Sequence, residues 1–226
     1  MDFPDLPRRI AEVWDRIDQA KNRGGLGQEV TIVAVTKTHG PEAVRAAYDT
    51  GLRDIGENKV QEALGKMKAV DVPVRWHLIG HLQRNKVKSL EHFAVLHALD
   101  SARLADAVNR FALERGQAVD ALLEVNLSAE ESKFGFNEGE VLAEAERLTN
   151  LPGVRLRGVM TMASFTAGEA ELHRTFGAAR EAREFLRQAG HQADELSMGM
   201  SNDYEIAVEE GATMVRLGTT LFGARE

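Results

Sequence analysis

Short runs of hydrophobic residues alternate along the chain with stretches in which hydrophobic residues recur at helical spacing. The first helical stretch covers 7–22, where Ile10, Val13, Trp14 and Ile17 share one face. The continuous runs predict buried strands, and the periodic stretches predict helices between them. The predicted strands are 30–36, 53–57, 74–80, 93–100, 119–128, 154–162, 194–199 and 213–223. The predicted helices are 7–22, 41–51, 58–68, 84–90, 101–115, 137–149, 168–189 and 203–210.

The order of these elements predicts a single α/β domain over residues 1–226. The strands are rich in valine, isoleucine and leucine, as parallel strands covered by helices must be. A succession of eight alternating units favours a (β/α)8 barrel of the TIM type. An open, doubly wound sheet is the alternative, but no predicted strand is followed by the G-x-G-x-x-G loop of dinucleotide-binding sheets.

Composition and charge exclude several classes of function. The 226 residues carry a net charge of −7, so the chain is a poor candidate for coating nucleic acid or an anionic membrane. The absence of cysteine excludes disulfides, thiolate catalysis and iron–sulfur clusters. The N-terminus lacks the apolar core of a signal peptide and no run is long enough to span a membrane, so we expect a cytoplasmic protein.

Barrel proteins place their chemistry where strands end and the following loops begin. The polar and sulfur-containing side chains at these positions are Lys37, Asn58, His77, Asn126, Met160, Met162 and Arg216, followed by the loops "SMGMSND" and "LGTTLFG". We expect Asn58, His77 and Met160 to line the site. His77 and His81 are four residues apart, but the run lacks the glutamate of a zinc-binding helix and starts in a strand, so no metal site is expected.

The loops after the last two strands predict a phosphate site. Barrels often bind phosphate there, with backbone N–H groups and the start of a short helix. Ser201 adds a hydroxyl from one loop, and Gly218 and Thr219 add flexibility and a hydroxyl from the other. Either loop alone is better explained as a turn with a helix cap, but the two together favour an anion cradle.

Lys37 ends the first predicted strand. An amine inside a barrel mouth is desolvated, so its pKa falls and part of it is neutral near pH 7. A neutral amine attacks carbonyl groups and forms a Schiff base. The alternative is an ordinary ion pair between Lys37 and a carboxylate such as Glu57.

A Schiff-base lysine, a phosphate site and an arginine on the last strand together suggest pyridoxal 5'-phosphate as the ligand. Its aldehyde would meet Lys37 and its phosphate would meet Ser201 and Thr219. The partner of the pyridine nitrogen decides the electronics of the ring. Arg216 in that place would leave the nitrogen unprotonated and the ring a weak electron sink.

The chain resembles the pyridoxal phosphate homeostasis proteins, which are related in fold to the N-terminal barrel of alanine racemase. The resemblance is carried by "AVTKTHG", "GENKVQEALGKM", "WHLIGHLQRNK", "VNLSAEESKFGF", "RGVMTMASF" and "LSMGMSNDYEIAVEEGATMVRLGTTLFGAR". It implies a monomer that holds the cofactor on Lys37, with Arg216 at the pyridine nitrogen. The other site positions it implies are Asn58 beside the ring, Lys133 in cofactor transfer, and Ser201, Gly218 and Thr219 at the phosphate.

The resemblance leaves a choice between a carrier and an enzyme. Alanine racemase takes a catalytic tyrosine from a second domain, whereas this sequence ends at Glu226, directly after the last barrel motif, and its tyrosines are Tyr48 and Tyr204. Racemisation needs an acid–base group on each face of the substrate. We therefore expect a non-enzymatic carrier that takes part in cofactor homeostasis and supplies acceptor enzymes. The alternatives are a weak amino-acid racemase and an aldolase that forms a Schiff base with a phosphorylated sugar.

Overall fold

The computed structural model describes residues 3–127 and 134–223, and its centre is a closed barrel of parallel strands. The strands are β1 (Thr31–Val35), β2 (Asp54–Glu57), β3 (Arg75–Leu78), β4 (Val95–Leu99), β5 (Val119–Asn126), β6 (Phe136–Asn137), β7 (Val154–Met160), β8 (Glu195–Ser197) and β9 (Met214–Leu217). Around the barrel they follow the order β1, β2, β3, β4, β5, β7, β8, β9, and β9 pairs with β1. The short β6 pairs with the end of β5 and stays outside the ring. The predicted TIM-type (β/α)8 fold is confirmed.

Helices cover the outside of the barrel. The α-helices are α1 (Leu6–Gly24), α2 (Pro41–Asp49), α3 (Val60–Ala69), α4 (Ala102–Arg115), α5 (Val141–Leu148), α6 (Glu169–Gln188), α7 (Tyr204–Glu209) and α8 (Thr219–Phe222). The segments Arg84–His92 and Glu138–Glu140 form 3₁₀ helices. Within the part of the chain that the structure describes, no helix has the length and apolar character needed to cross a membrane.

The prediction for the last strand is wrong over its second half. The apolar run 213–223 predicts one strand, but β9 ends at Leu217 and the chain turns at Gly218 into the short helix α8. Leu221 and Phe222 are buried on that helix. A short apolar run satisfies a buried strand and a buried helix equally well, so hydrophobicity alone does not locate the turn.

The hydrophobic core has an outer and an inner part. The outer part lies between the helices and the barrel; α1, for example, buries Leu6, Ile10, Val13 and Ile17. The inner part is a small cluster inside the barrel, made of Val33, Ala98, Leu122, Met160 and Met214. The inner cluster is small because polar side chains occupy much of the remaining interior, and these side chains belong to the candidate site and its support.

Candidate functional site

A cavity of about 720 Å³ opens at the carboxyl ends of the barrel strands. Its size falls within the usual range for small-molecule sites, about 300–1,000 Å³. Six of the eight residues that the sequence predicts for the site line this cavity: Lys37, Asn58, Ser201, Arg216, Gly218 and Thr219. They come from loops after β1, β2, β8 and β9 and from β9 itself, which the closed barrel brings to one mouth.

The backbone on both sides of Lys37 is held by hydrogen bonds. The Thr36 carbonyl accepts from Lys66 Nζ at 2.7 Å, and the Thr38 N–H donates to Glu62 Oε1 at 2.5 Å. Thr38 has a φ of 70°, in the left-handed region that β-branched residues rarely adopt. The chain therefore turns sharply after Lys37, and the half-buried lysine faces the cavity.

Glu57 is paired with Lys66 rather than with Lys37. Its Oε1 atom accepts from Lys66 Nζ at 2.6 Å and from Thr36 Oγ1 at 2.5 Å. Burial raises the pKa of Glu57, against the opposing effect of the hydrogen bonds from Lys66 and Thr36. Among the described residues, Glu57 therefore forms its ion pair with Lys66, and this pair supports the end of β1 through the Thr36 carbonyl.

The two loops of the predicted phosphate corner contact each other directly. The Thr220 N–H donates to Ser201 Oγ at 3.2 Å, and the Met200 N–H donates to Asp203 Oδ1 at 2.5 Å. Gly199 has a φ of 89°, and a Cβ atom there would lie 2.6 Å from the Cβ of Ala207. The tight turn therefore requires glycine, and it brings the Ser201 loop against the loop of Gly218 and Thr219.

Arg216 projects from β9 into the barrel and reaches the cavity wall, although only 5% of it is exposed. Its Nη1 atom donates to the carbonyl of Ser197 at 2.7 Å and to Ser197 Oγ at 2.6 Å, and its Nη2 atom donates to the Thr161 carbonyl at 2.9 Å. Burial lowers the pKa of Arg216 to about 10, while the charges of Asp203 and Glu124 oppose that effect. The guanidinium is still charged at neutral pH.

His77 and Met160 are not among the residues that line the cavity. His77 is buried, with its Nδ1 atom 2.8 Å from His97 Nε2 and its Nε2 atom 2.8 Å from Asp54 Oδ1. Met160 packs in the inner hydrophobic cluster. Both residues lie on the expected strands, but neither of them lines the cavity.

The cavity also has an acidic corner, which was not among the features predicted for the site. Glu124 lines the cavity and is 6% exposed. Burial, with a further contribution from the charge of Asp100, raises the pKa of Glu124 to about 7, while Arg216 and His81 act in the opposite direction. His81 also lines the cavity, its Nδ1 atom lies 2.5 Å from Asp100 Oδ2, and its ring stacks on Phe134. The signal was the alternation of β5, in which Leu122, inside the barrel, and Glu124 share one side.

The sequence analysis singles out three further residues, Lys133, Tyr48 and Tyr204. Lys133 lies outside the described residues. Tyr48 lies on α2 under the guanidinium of Arg53, and neither it nor Tyr204 lines the cavity. Tyr204 is buried at the start of α7. Within the described residues, therefore, neither tyrosine faces the space where a ligand would react.

The chain matches the family model of the alanine racemase N-terminal domain over residues 9–226. It is 42% identical to the pyridoxal phosphate homeostasis protein of Pseudomonas aeruginosa over 224 residues, which are 98% of this chain and 96% of that protein. It is 40% identical to the protein of the same name from Aquifex aeolicus over 222 residues, which are 96% of this chain and 97% of the relative.

Solved structures give the same picture. PipY of Synechococcus elongatus, solved with pyridoxal phosphate bound, superposes with a TM-score of 0.85 at 38% identity, over 96% of this chain and all of that one. The alanine racemase of Corynebacterium glutamicum shares the fold, with a TM-score of 0.72 at 16% identity, over 93% of this chain and 61% of the racemase.

Proposed function

The chain belongs to the pyridoxal phosphate homeostasis protein family, and we propose that it binds pyridoxal 5'-phosphate at the mouth of its barrel and holds it for delivery to other proteins. One observation carries the proposal. A single cavity brings together a strand-end amine, a corner of hydroxyls and backbone amides, and a buried guanidinium. When bound, the cofactor supplies a phosphate, a pyridine nitrogen that accepts a hydrogen bond, and an aldehyde that forms a Schiff base with a neutral amine.

The residues that line the cavity fit the three polar ends of this cofactor. Lys37 provides the amine, and the paired loops of Ser201 and Thr219 provide hydroxyl and backbone donors for the phosphate. Gly218 allows its loop to lie close to the end of β1, because a Cβ atom at this position would lie only 3.3 Å from the Val35 carbonyl oxygen. Asn58, after β2, provides an amide beside the space between these ends.

Arg216 suits the pyridine nitrogen and favours holding over turnover. A guanidinium donates hydrogen bonds and does not give up its proton at neutral pH, so it leaves a ring nitrogen unprotonated. A ring in that state withdraws electrons weakly, which suits storage of a reactive aldehyde better than chemistry on amino acids. The relatives in this family are named for homeostasis rather than for a reaction.

The binding test is spectroscopic. The purified protein, supplied with the cofactor, should show an absorbance band that Lys37→Ala abolishes, and borohydride should then fix one cofactor to Lys37, identified by peptide mass. Lys68→Ala is the matched control, because Lys68 is exposed on α3 and does not line the cavity. Labelling of Lys37→Ala to the level of the parent would overturn the assignment.

The delivery test is separate. Loaded protein should restore activity to an apoenzyme that requires the cofactor, and Lys37→Ala, loaded in the same way, should not. A panel of amino acids tested for racemisation should show no robust turnover. Sustained racemisation of any amino acid would favour the enzyme alternative over the carrier.

The proposal extends to assembly and location. We expect one cofactor-binding domain over residues 1–226 that is monomeric and resides in the cytoplasm. Light scattering on a sizing column tests the monomer, and cell fractionation tests the compartment.

A further inference from the structure

A line of hydrogen-bonded side chains crosses the interior of the barrel beneath the cavity. It runs from Arg216 on β9 to Ser197 on β8, then to His97 on β4, His77 on β3 and Asp54 on β2. The distances between successive atoms are 2.6, 2.9, 2.8 and 2.8 Å. All five side chains are buried. Barrel interiors are ordinarily filled by branched hydrophobic residues, so this polar line needs a physical explanation.

Only one arrangement of protons satisfies every atom of the line. Arg216 is a donor, so Ser197 Oγ accepts from it and has its own proton for His97 Nδ1. His97 then carries its proton on Nε2 and donates to His77 Nδ1. His77 in turn carries its proton on Nε2 and donates to the carboxylate of Asp54.

The opposite direction fails at both ends. If His97 Nδ1 donated to Ser197, that hydroxyl would accept from two donors and would need another acceptor for its own proton. His77 Nε2 would then present a lone pair to the carboxylate of Asp54, which has only lone pairs to offer. Protonation of either ring would make Ser197 Oγ accept from both Arg216 and His97, so the hydroxyl proton of Ser197 would lose its acceptor on His97.

The electrostatics of the line agree with a neutral His97 ring between two opposite charges. Burial lowers the pKa of His97 well below its ordinary value, and the positive charge of Arg216 acts in the same direction. Burial acts to raise the pKa of Asp54, but the hydrogen bonds from His77 and Arg75 outweigh it and the net pKa is lowered. Asp54 is thus an anion, anchored by Arg75 Nη2 at 2.7 Å at the other end from Arg216.

We propose that Ser197, His97, His77 and Asp54 are positioning residues that fix the guanidinium of Arg216 toward the cavity. The hydrogen bonds to Ser197 and Thr161 engage three of the five N–H donors of Arg216, and the guanidinium keeps the remaining donors for a ligand. The ligand in question rests on the proposed function, in which Arg216 meets the pyridine nitrogen. None of the four supporting side chains lines the cavity, so each acts through Arg216.

The first test needs no cofactor. Nitrogen-15 spectra of the protein labelled in its seven histidines should show His77 and His97 as neutral rings protonated on Nε2, from about pH 6 to about pH 8. The exposed His92 supplies the reference signals of a solvated ring. An Nδ1–H tautomer or an imidazolium at either position within that range would overturn the directional line.

The second test measures the ligand. Ser197→Ala and Asp54→Asn should each weaken cofactor binding by about five-fold or more, the effect of one hydrogen bond, and should shift the absorbance of the bound cofactor. Thr175→Val removes a buried hydroxyl on α6 away from the line and should leave affinity and spectrum unchanged. Asp54→Asn keeps the size of the side chain and serves if Ser197→Ala does not fold.

The outcomes separate the two levels of the proposal. If both variants bind like the parent while the tautomers are as expected, the line exists but does not position Arg216 for a ligand. If the parent protein itself binds no cofactor, the proposed function fails and the positioning role fails with it, whereas the tautomers still report on the line itself.

Discussion

Lys66 Nζ lies 2.6 Å from Glu57 Oε1, with both side chains buried behind the strand end that carries Lys37. The same ammonium donates to the Thr36 carbonyl at 2.7 Å and to Glu62 Oε1 at 2.9 Å. Thr36 directly precedes Lys37, so the hydrogen bond from Lys66 to the Thr36 carbonyl links this buried ion pair to the backbone position of Lys37. Removal of one member of such a pair leaves the other charge desolvated and without its counter-ion.

We predict that Lys66→Met lowers the free energy of unfolding by about 3–5 kcal/mol, measured by urea denaturation at neutral pH. The double variant Glu57→Gln with Lys66→Met should recover part of that loss, because it buries no unpaired charge. Lys68→Met, on the exposed side of the same helix, is the control and should change stability by less than about 0.5 kcal/mol. Equal losses in the two lysine variants would contradict the prediction.

The raised pKa of Glu124 predicts a pH-dependent stability. Because the pKa rises from 4.5 to about 7 on folding, the folded protein binds this proton more tightly than the unfolded chain. The stabilisation is complete below about pH 4.5 and is lost as the pH rises through about 7. It amounts to about 3 kcal/mol at 1.36 kcal/mol per pKa unit.

Glu124→Gln should remove this part of the pH dependence. The neutral amide cannot ionise, so the variant should be more stable than the parent by about 1–3 kcal/mol at about pH 8 and should show a flatter profile below it. Urea denaturation at several pH values, at equal cofactor occupancy, makes the comparison. Glu114→Gln on the exposed side of α4 is the control. If stability depended on pH as steeply in Glu124→Gln as in Glu114→Gln, the assignment to Glu124 would be refuted.

The turn at Gly199 predicts a steep loss of stability on a small change. A Cβ atom there would lie 2.6 Å from Ala207 Cβ and 2.9 Å from Tyr204 Cα, and the φ of 89° is strained for an L-residue. Gly199→Ala should therefore lower the free energy of unfolding by about 3 kcal/mol. It should also weaken cofactor binding, because the displaced turn carries the Ser201 loop.

Gly139→Ala is the matched control for that variant. A Cβ atom at Gly139 meets no heavy atom within 4 Å, and its φ is not in the left-handed region. Stability should change by less than about 0.5 kcal/mol. A melting temperature for Gly199→Ala as high as that of Gly139→Ala would show that the turn relaxes without strain.

The site residues at the strand ends were predictable because the parallel strands of a barrel all end at the same mouth. Lys37, Asn58 and Thr219 are far apart in the sequence, yet each lies just past the end of a strand, and closure of the barrel brings them together. The apolar run 213–223 misled because a short run does not distinguish a strand from a helix. Hydrophobic pattern therefore located the elements better than it located where the last one turns.

The depth of a residue inside the barrel was not predictable. His77 and Met160 lie on strands that reach the mouth, but neighbouring strands are staggered, so position along a strand does not give height in the barrel. The bond from His97 to Ser197 joins residues 100 positions apart and depends on which strands face each other across the interior. The position of Glu124 could have been predicted from the sequence, since Glu124 shares the inward side of β5 with Leu122.

Among the described residues, Thr38 is the one residue other than glycine with a positive φ, and it directly follows Lys37. Holding a β-branched residue at a φ of 70° costs about 1–2 kcal/mol, and glycine removes that strain while losing more entropy on folding. Thr38→Gly should therefore stabilise the exposed turn by up to about 1 kcal/mol, yet weaken cofactor binding because the backbone beside the lysine is less restrained.

Thr50→Gly is the control. Thr50 has a φ of −88°, and its hydroxyl donates hydrogen bonds to the Ala46 and Ala47 carbonyls, so glycine at this position should destabilise the protein. A loss of stability in Thr38→Gly as large as in Thr50→Gly would mean that the turn after Lys37 stores no strain, and that the lysine is oriented by its hydrogen-bonded neighbours alone.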